Sequence, residues 1–132
     1  MAILSREASA ADFARQNYIL RCSGCHQIDG TGAPTSGVPN IKGVLGHFPR
    51  LAEGRAFLVQ VPGTSNSALN DAEVAELLNW MLKHFSPNEM PVNFVPYTAS
   101  EVTRLRAEKL NDVTGARTSV VKKLAEMGFK AE

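Results

Sequence analysis

The sequence predicts an all-α protein. Apolar residues recur at helical spacing, helix-start patterns precede them, and no strand-rich stretch surrounds the two cysteines. The clearest helix follows Asn70-Asp71-Ala72-Glu73, where a capping side chain is followed three positions later by a glutamate. Val74, Leu77, Leu78, Met81, Leu82 and Phe85 then fall at i, i+3, i+4, i+7, i+8 and i+11, which is one apolar face. At 132 residues the chain makes one ordinary domain or a small domain with an extension, and 44% hydrophobic residues are enough for a core.

The other elements follow in order. Ser9-Ala10-Ala11-Asp12 reads as a helix start, and Phe13, Ala14, Asn17 and Tyr18 carry that helix into Cys22. Residues 27–46 form a loop rich in Gly, Pro, Thr and Ser. A short helix covers 51–61, where Gly54-Arg55-Ala56-Phe57-Leu58-Val59 is densely apolar and Pro62-Gly63 stops it. His84 lies near the end of the main helix, where it can interact with the helix dipole, and is given no part in a site. Pro87, Pro91 and Pro96 then exclude regular helix. Thr98-Ala99-Ser100-Glu101 is a second capping box, opening a helix to about Leu110. A last helix over 118–127 carries Val121, Leu124 and Met127 on one side and stops at Gly128.

Cys22-Ser23-Gly24-Cys25-His26 is the most specific motif in the chain. C-x-x-C-H is the spacing of covalent haem attachment. Two thiols add to the two vinyl groups on one porphyrin edge, and the adjacent imidazole takes an axial position on the iron. Ser23 and Gly24 are small, so the turn can press against the macrocycle. Three other readings stay open on these residues alone. A redox dithiol expects a βαβ setting. Half of a zinc site needs a second ligand pair, and only His47 and His84 remain outside the motif. A structural disulfide beside an unrelated histidine is the third. A net charge of +1 suggests neither nucleic acid nor a strongly anionic partner. No run of about 18 apolar residues occurs, so no membrane-spanning helix is expected. No paired-carboxylate site, Ser/His/Asp set or phosphate loop supports substrate chemistry, which argues against an enzyme.

Over residues 9–86 the chain resembles the class I c-type cytochromes. Gly37-Val38-Pro39-Asn40-Ile41-Lys42-Gly43-Val44-Leu45-Gly46 is similar to that family's G-P-N-L-x-G-x-x-G run, and Leu77-Leu78-Asn79-Trp80-Met81-Leu82-Lys83 to its last helix. The resemblance implies one haem c bound covalently through Cys22 and Cys25, with His26 as the proximal iron ligand. It implies that the Pro39 carbonyl accepts a hydrogen bond from the other nitrogen of His26, fixing its tautomer and raising its basicity. Trp80 would be the helix aromatic that packs on the first helix near Ala14 and Tyr18. His47 falls where the family carries a basic residue near a haem propionate, with Arg50 and Arg55 as further candidates. The pattern departs at the sixth ligand. Counting back from Trp80 to the family's methionine reaches Thr64, in Val61-Pro62-Gly63-Thr64-Ser65-Asn66-Ser67, which holds no methionine. Met90, in the proline-bounded Asn88-Glu89-Met90-Pro91, is the preferred distal thioether, with Met81 read as packing. Asn66, a water, or a five-coordinate iron behind Phe57, Val59 and Val61 are the alternatives. The resemblance divides the chain into a haem domain, 1–86, and a helical extension, 87–132, that packs on the body or on a partner.

The implied function is a mono-haem electron carrier between periplasmic redox proteins, a dehydrogenase on one side and a terminal oxidase or reductase on the other. A small net charge points to docking through apolar contact around the haem edge. The missing methionine raises a second reading, a haem-based small-ligand or weak peroxidase module. The amphipathic stretch 118–127 raises a third, a subunit of a larger redox complex. Met1-Ala2-Ile3-Leu4-Ser5-Arg6 has no secretory apolar region. Because c-type haem is attached outside the cytoplasm, a leader is expected to have been removed.

Overall fold

In the computed structural model, residues 2–132 are described, with side chains from residue 10 onward. Helix α1 (Ala2–Arg21) starts ahead of the expected Ser9, whose cap lies outside the described side chains. Helix α5 (Asp71–Phe85) crosses it. Asn70 closes a full capping box with Glu73, and the expected apolar face of α5 is buried. Ala14 and Tyr18 are buried where the helices meet. The Tyr18 ring lies 5.7 Å from Trp80 and 4.8 Å from Phe85. A small residue at 14 lets the two helices approach, and the aromatic contacts fix how they cross.

Between these helices run a one-turn helix α2 (Ser23–His26), 3-10 turns at Pro34–Ser36 and Leu45–Arg50, helix α3 (Ala52–Gln60) and the short α4 (Pro62–Ser65). The Leu45–Arg50 segment repeats every three residues, so Leu45 and Phe48 share one face while His47 and Arg50 share another. Leu45 and Phe48 are buried in the core. Gly46 shows why the run ends on glycine. A Cβ there would stand 2.7 Å from Ser86 O and 2.8 Å from Met90 N. The loop after α5 therefore lies directly on the Gly46 backbone, and Gly46 N donates to Ser86 Oγ at 2.9 Å.

Beyond the prolines the chain returns to the body. The Asn79 side chain grips the Tyr97 backbone, donating to its O at 3.1 Å and accepting from its N at 2.8 Å. Helix α6 (Ala99–Arg106) follows and stops short of Leu110. Thr98 accepts from Glu101 N, but the Glu101 carboxylate does not close the expected box. It receives Arg55 Nε and Nη2 instead, at 2.6 and 2.7 Å. A long-range charged partner outcompetes a local backbone one. Helix α7 (Val113–Glu126) begins earlier than the expected Thr118, because Asp112 caps it by accepting from Gly115 N at 2.9 Å. Its buried residues are Val120 and Leu124, while Met127, expected on the apolar side, is exposed. Tyr97, Val102, Leu105, Val120 and Leu124 join the same apolar core as Val59 and Leu82. Among the described residues, no helix is long and apolar enough to cross a membrane.

Candidate cofactor site

The site starts where α1 ends. Cys22 N donates to Tyr18 O at 2.9 Å, and His26 N donates to Cys22 O at 2.9 Å, so the motif forms a single helical turn. Three-residue spacing then puts Cys22 and Cys25 on one side of that turn. Gln27 ends it at φ 71, ψ 163, a conformation favoured almost only by glycine. Tyr18 Oη donates to Gln27 O at 2.6 Å and holds this strained residue in place.

His26 Nδ1 lies 3.2 Å from Pro39 O. A carbonyl only accepts, so Nδ1 carries the proton and Nε2 is the free basic nitrogen. Burial pushes the His26 pKa down, opposed by the Pro39 hydrogen bond. A neutral imidazole with a fixed tautomer is the form that binds a metal. Burial also pushes the Cys22 thiol up, with Arg21 opposing. Gly32, at φ 68, seats the carbonyl that His26 needs. A Cβ on it would lie 2.5 Å from Pro39 O.

Cys22, Cys25, His26 and Pro39 form one wall of a cavity of about 850 Å³. Ile41, Val44, Leu45 and Phe48 continue that wall, and Leu77, Leu78 and Met81 of α5 supply another. Phe57, Leu58 and Val61, at and just beyond α3, then Thr64, Ser67 and Leu69, line a further side. Val113, Thr114, Arg117 and Thr118 of α7 line it too, as does Glu132 at the C-terminus. An apolar chamber with two thiols and a ligand-competent imidazole on one wall suits a flat, metal-bearing macrocycle, so the residues present fit a haem. The competing readings of the motif find less support. Both cysteines are free thiols. Among the described residues, no three His, Cys, Asp or Glu cluster as a metal site. The β pairing seen among them is an isolated Ala33–Val38 bridge, not a βαβ unit.

Other expected site residues stand outside the cavity. Met90, expected to supply the distal thioether, is half-buried beside Gly46 and takes no part in the lining. Its loop is held away by Ser86 Oγ, which donates to Glu89 Oε1 at 2.8 Å, and by Arg50 Nη2, which donates to Glu89 O at 2.8 Å. His47, expected at a propionate, faces away from Leu45 and Phe48. Its ring lies 5.1 Å from Phe129, and Arg50 Nε donates to its Nδ1 at 3.4 Å. Arg55 is taken by Glu101 and lies over the Tyr97 ring at 4.1 Å. Trp80 also stands outside the lining; it packs on Tyr18 and stacks on His84 at 4.5 Å. Of the expected distal wall, Phe57 and Val61 face the cavity, whereas Val59 is buried elsewhere in the core and Asn66 is exposed.

Two arginines of the tail belong here that the sequence reading missed. Arg106 gathers the carbonyls of Ser65, Ser67 and Leu69 at 2.8–3.2 Å and pairs with Asp71 at 2.9 Å. It thereby fixes the segment where the family's methionine would stand. Arg117 lies in the cavity wall itself. The only hint in the sequence is Thr114, Arg117 and Thr118 at i, i+3 and i+4 on one helical face.

No family model matches the chain. Two proteins named cytochrome c-552, both from Thermus thermophilus, are each 31% identical to it over 108 residues. The matched region covers 68% of this chain, and 82% and 72% of those relatives. That likeness and a cavity built on Cys22, Cys25 and His26 lead to one conclusion: the chain belongs to the c-type cytochromes.

Proposed function

We propose that this protein is a mono-haem cytochrome that carries single electrons between periplasmic redox proteins. The observation that carries the reading is the Nδ1 hydrogen bond from His26 to Pro39 beside two free thiols at the cavity wall. Haem bound there supplies one iron that takes up and releases one electron at a time. Cys22 and Cys25 anchor it, His26 ligates through Nε2, Pro39 holds the ring with its proton on Nδ1, and burial disfavours protonation of Nε2. The apolar residues of α3 and α5 exclude water, which favours a small reorganisation on electron transfer. Exposed Leu20 and Ile28 flank the motif that holds exposed Cys25, a surface suited to apolar docking of a dehydrogenase or a terminal oxidase or reductase. The periplasm is the assigned compartment because covalent haem attachment takes place outside the cytoplasm.

The test is expression with a periplasmic haem-maturation system. Intact mass is expected to rise by one haem, and voltammetry to give one reversible one-electron wave. An unchanged mass refutes the proposal. The placement of Met90 outside the cavity supports a second reading, an open or labile sixth position that admits small ligands. A high-spin ferric spectrum with rapid CO binding to the ferrous protein supports it; a far-red methionine–iron band rules it out.

A further inference from the structure

We propose that Arg117 of α7 is the cavity's carboxylate partner, and that it pairs with the propionates of the bound haem. This inference rests on the haem reading above. The basic residues that sequence position favoured for this task are occupied elsewhere: His47 and Arg50 turn toward Phe129, and Arg55 is held by Glu101. Two cations line the cavity, Arg21 and Arg117. Arg21 adjoins Cys22, which binds the vinyl edge of the porphyrin. The propionates leave the opposite edge, so Arg21 stands at the wrong end.

Arg117 stands at a different wall. Helix α7 packs against α3 and the Leu45–Arg50 turns. Arg117 is half-buried there, and no ion pair or hydrogen bond joins it to another described residue. Thr114 and Thr118 flank it on the same helical face and also line the cavity, adding two hydroxyl donors. Glu132 lines the same cavity but makes no ion pair with Arg117, so the guanidinium keeps its donors free for another anion. A carboxylate satisfies it with charge-assisted, bidentate geometry. The C-terminal segment thus holds the cofactor as part of its site and does more than pack on the outside.

The experiment uses the matured holoprotein and checks intact mass first. A chain without the haem increment sinks both this inference and the electron-carrier reading. With the increment present, midpoint potential is measured against pH for wild type, Arg117→Gln, Arg117→Lys and Arg21→Gln. Loss of a paired cation raises a carboxyl pKa, so the pH-dependent segment of the Arg117→Gln profile is expected to move up by roughly one to three pH units. Arg117→Lys keeps a charge and should move it less; if the glutamine variant does not mature, the lysine variant alone must still move the segment upward. Arg21→Gln should leave it in place. Coincident wild-type and variant profiles, or an equal movement in Arg21→Gln, overturn the inference. Acetate titration separates the two sources of carboxylate. A wild-type spectrum that responds to acetate only while Arg117 is present, with unmoved pH profiles, would assign Arg117 to a free anion and overturn the propionate pairing.

Discussion

Gln27 is the residue at which local preference and the site conflict. Its φ of 71 with ψ 163 costs on the order of 1–3 kcal/mol for a non-glycine residue. Gln27→Gly is therefore expected to stabilise the chain by about 1 kcal/mol in denaturant melts, and Tyr18→Phe to destabilise it by about 1 kcal/mol through the lost hydrogen bond. Tyr18 also sets a pH limit. Burial first, then Cys22 and Asp29, push its pKa up from 10.0 to about 12. Burial likewise pushes the Tyr97 phenol up. Both folded phenols keep their protons above pH 10, where the unfolded chain loses them. Their contribution is thus complete below pH 10 and lost as pH rises toward 12. Thermal midpoints measured across that window should fall for wild type and fall less for Tyr18→Phe.

Among the elements, specific polar contacts add to the apolar core that joins body and tail. Arg55 and Glu101 link α3 to α6 through two short hydrogen bonds with side chains only 18% and 19% exposed. Glu101→Gln should cost roughly 1.5–3 kcal/mol, the range for hydrogen bonds to charged groups. Arg106 ties α6 to the segment after α4. Arg106→Gln is expected to speed amide hydrogen exchange at Ser67 and Leu69 more than at α5, since it frees carbonyls that no other described group binds. Equal protection in the variant would show that the segment holds itself.

For the whole molecule, one apolar core runs from α1 to the last residues. Leu124 is fully buried, so Leu124→Ala should cost about 2–5 kcal/mol, and unfolding should remain a single transition. Two resolved transitions would show the tail to be an independent unit. The cavity is part of that core. The paired Cys22→Ala and Cys25→Ala variant, which cannot anchor a haem, should bind a hydrophobic dye and melt below the matured protein.

Sequence alone pointed to the proposed anchors and determined the principal helix. Cys22, Cys25 and His26 are adjacent along the chain, and the face of α5 follows from helical period, so both are short-range properties. The resemblance also led to Pro39, because the carbonyl serving His26 lies in a recognisable run. Which residues face the cavity was decided by tertiary structure. His47 and Leu45 are two positions apart, and only the 3-10 geometry of that stretch sends one outward and the other inward. Met90 was drawn to Gly46, and α7 with its Arg117 was brought to the cavity, by contacts between segments far apart in sequence. Such contacts form because folded segments compete for one shared core, and no local spacing records the outcome.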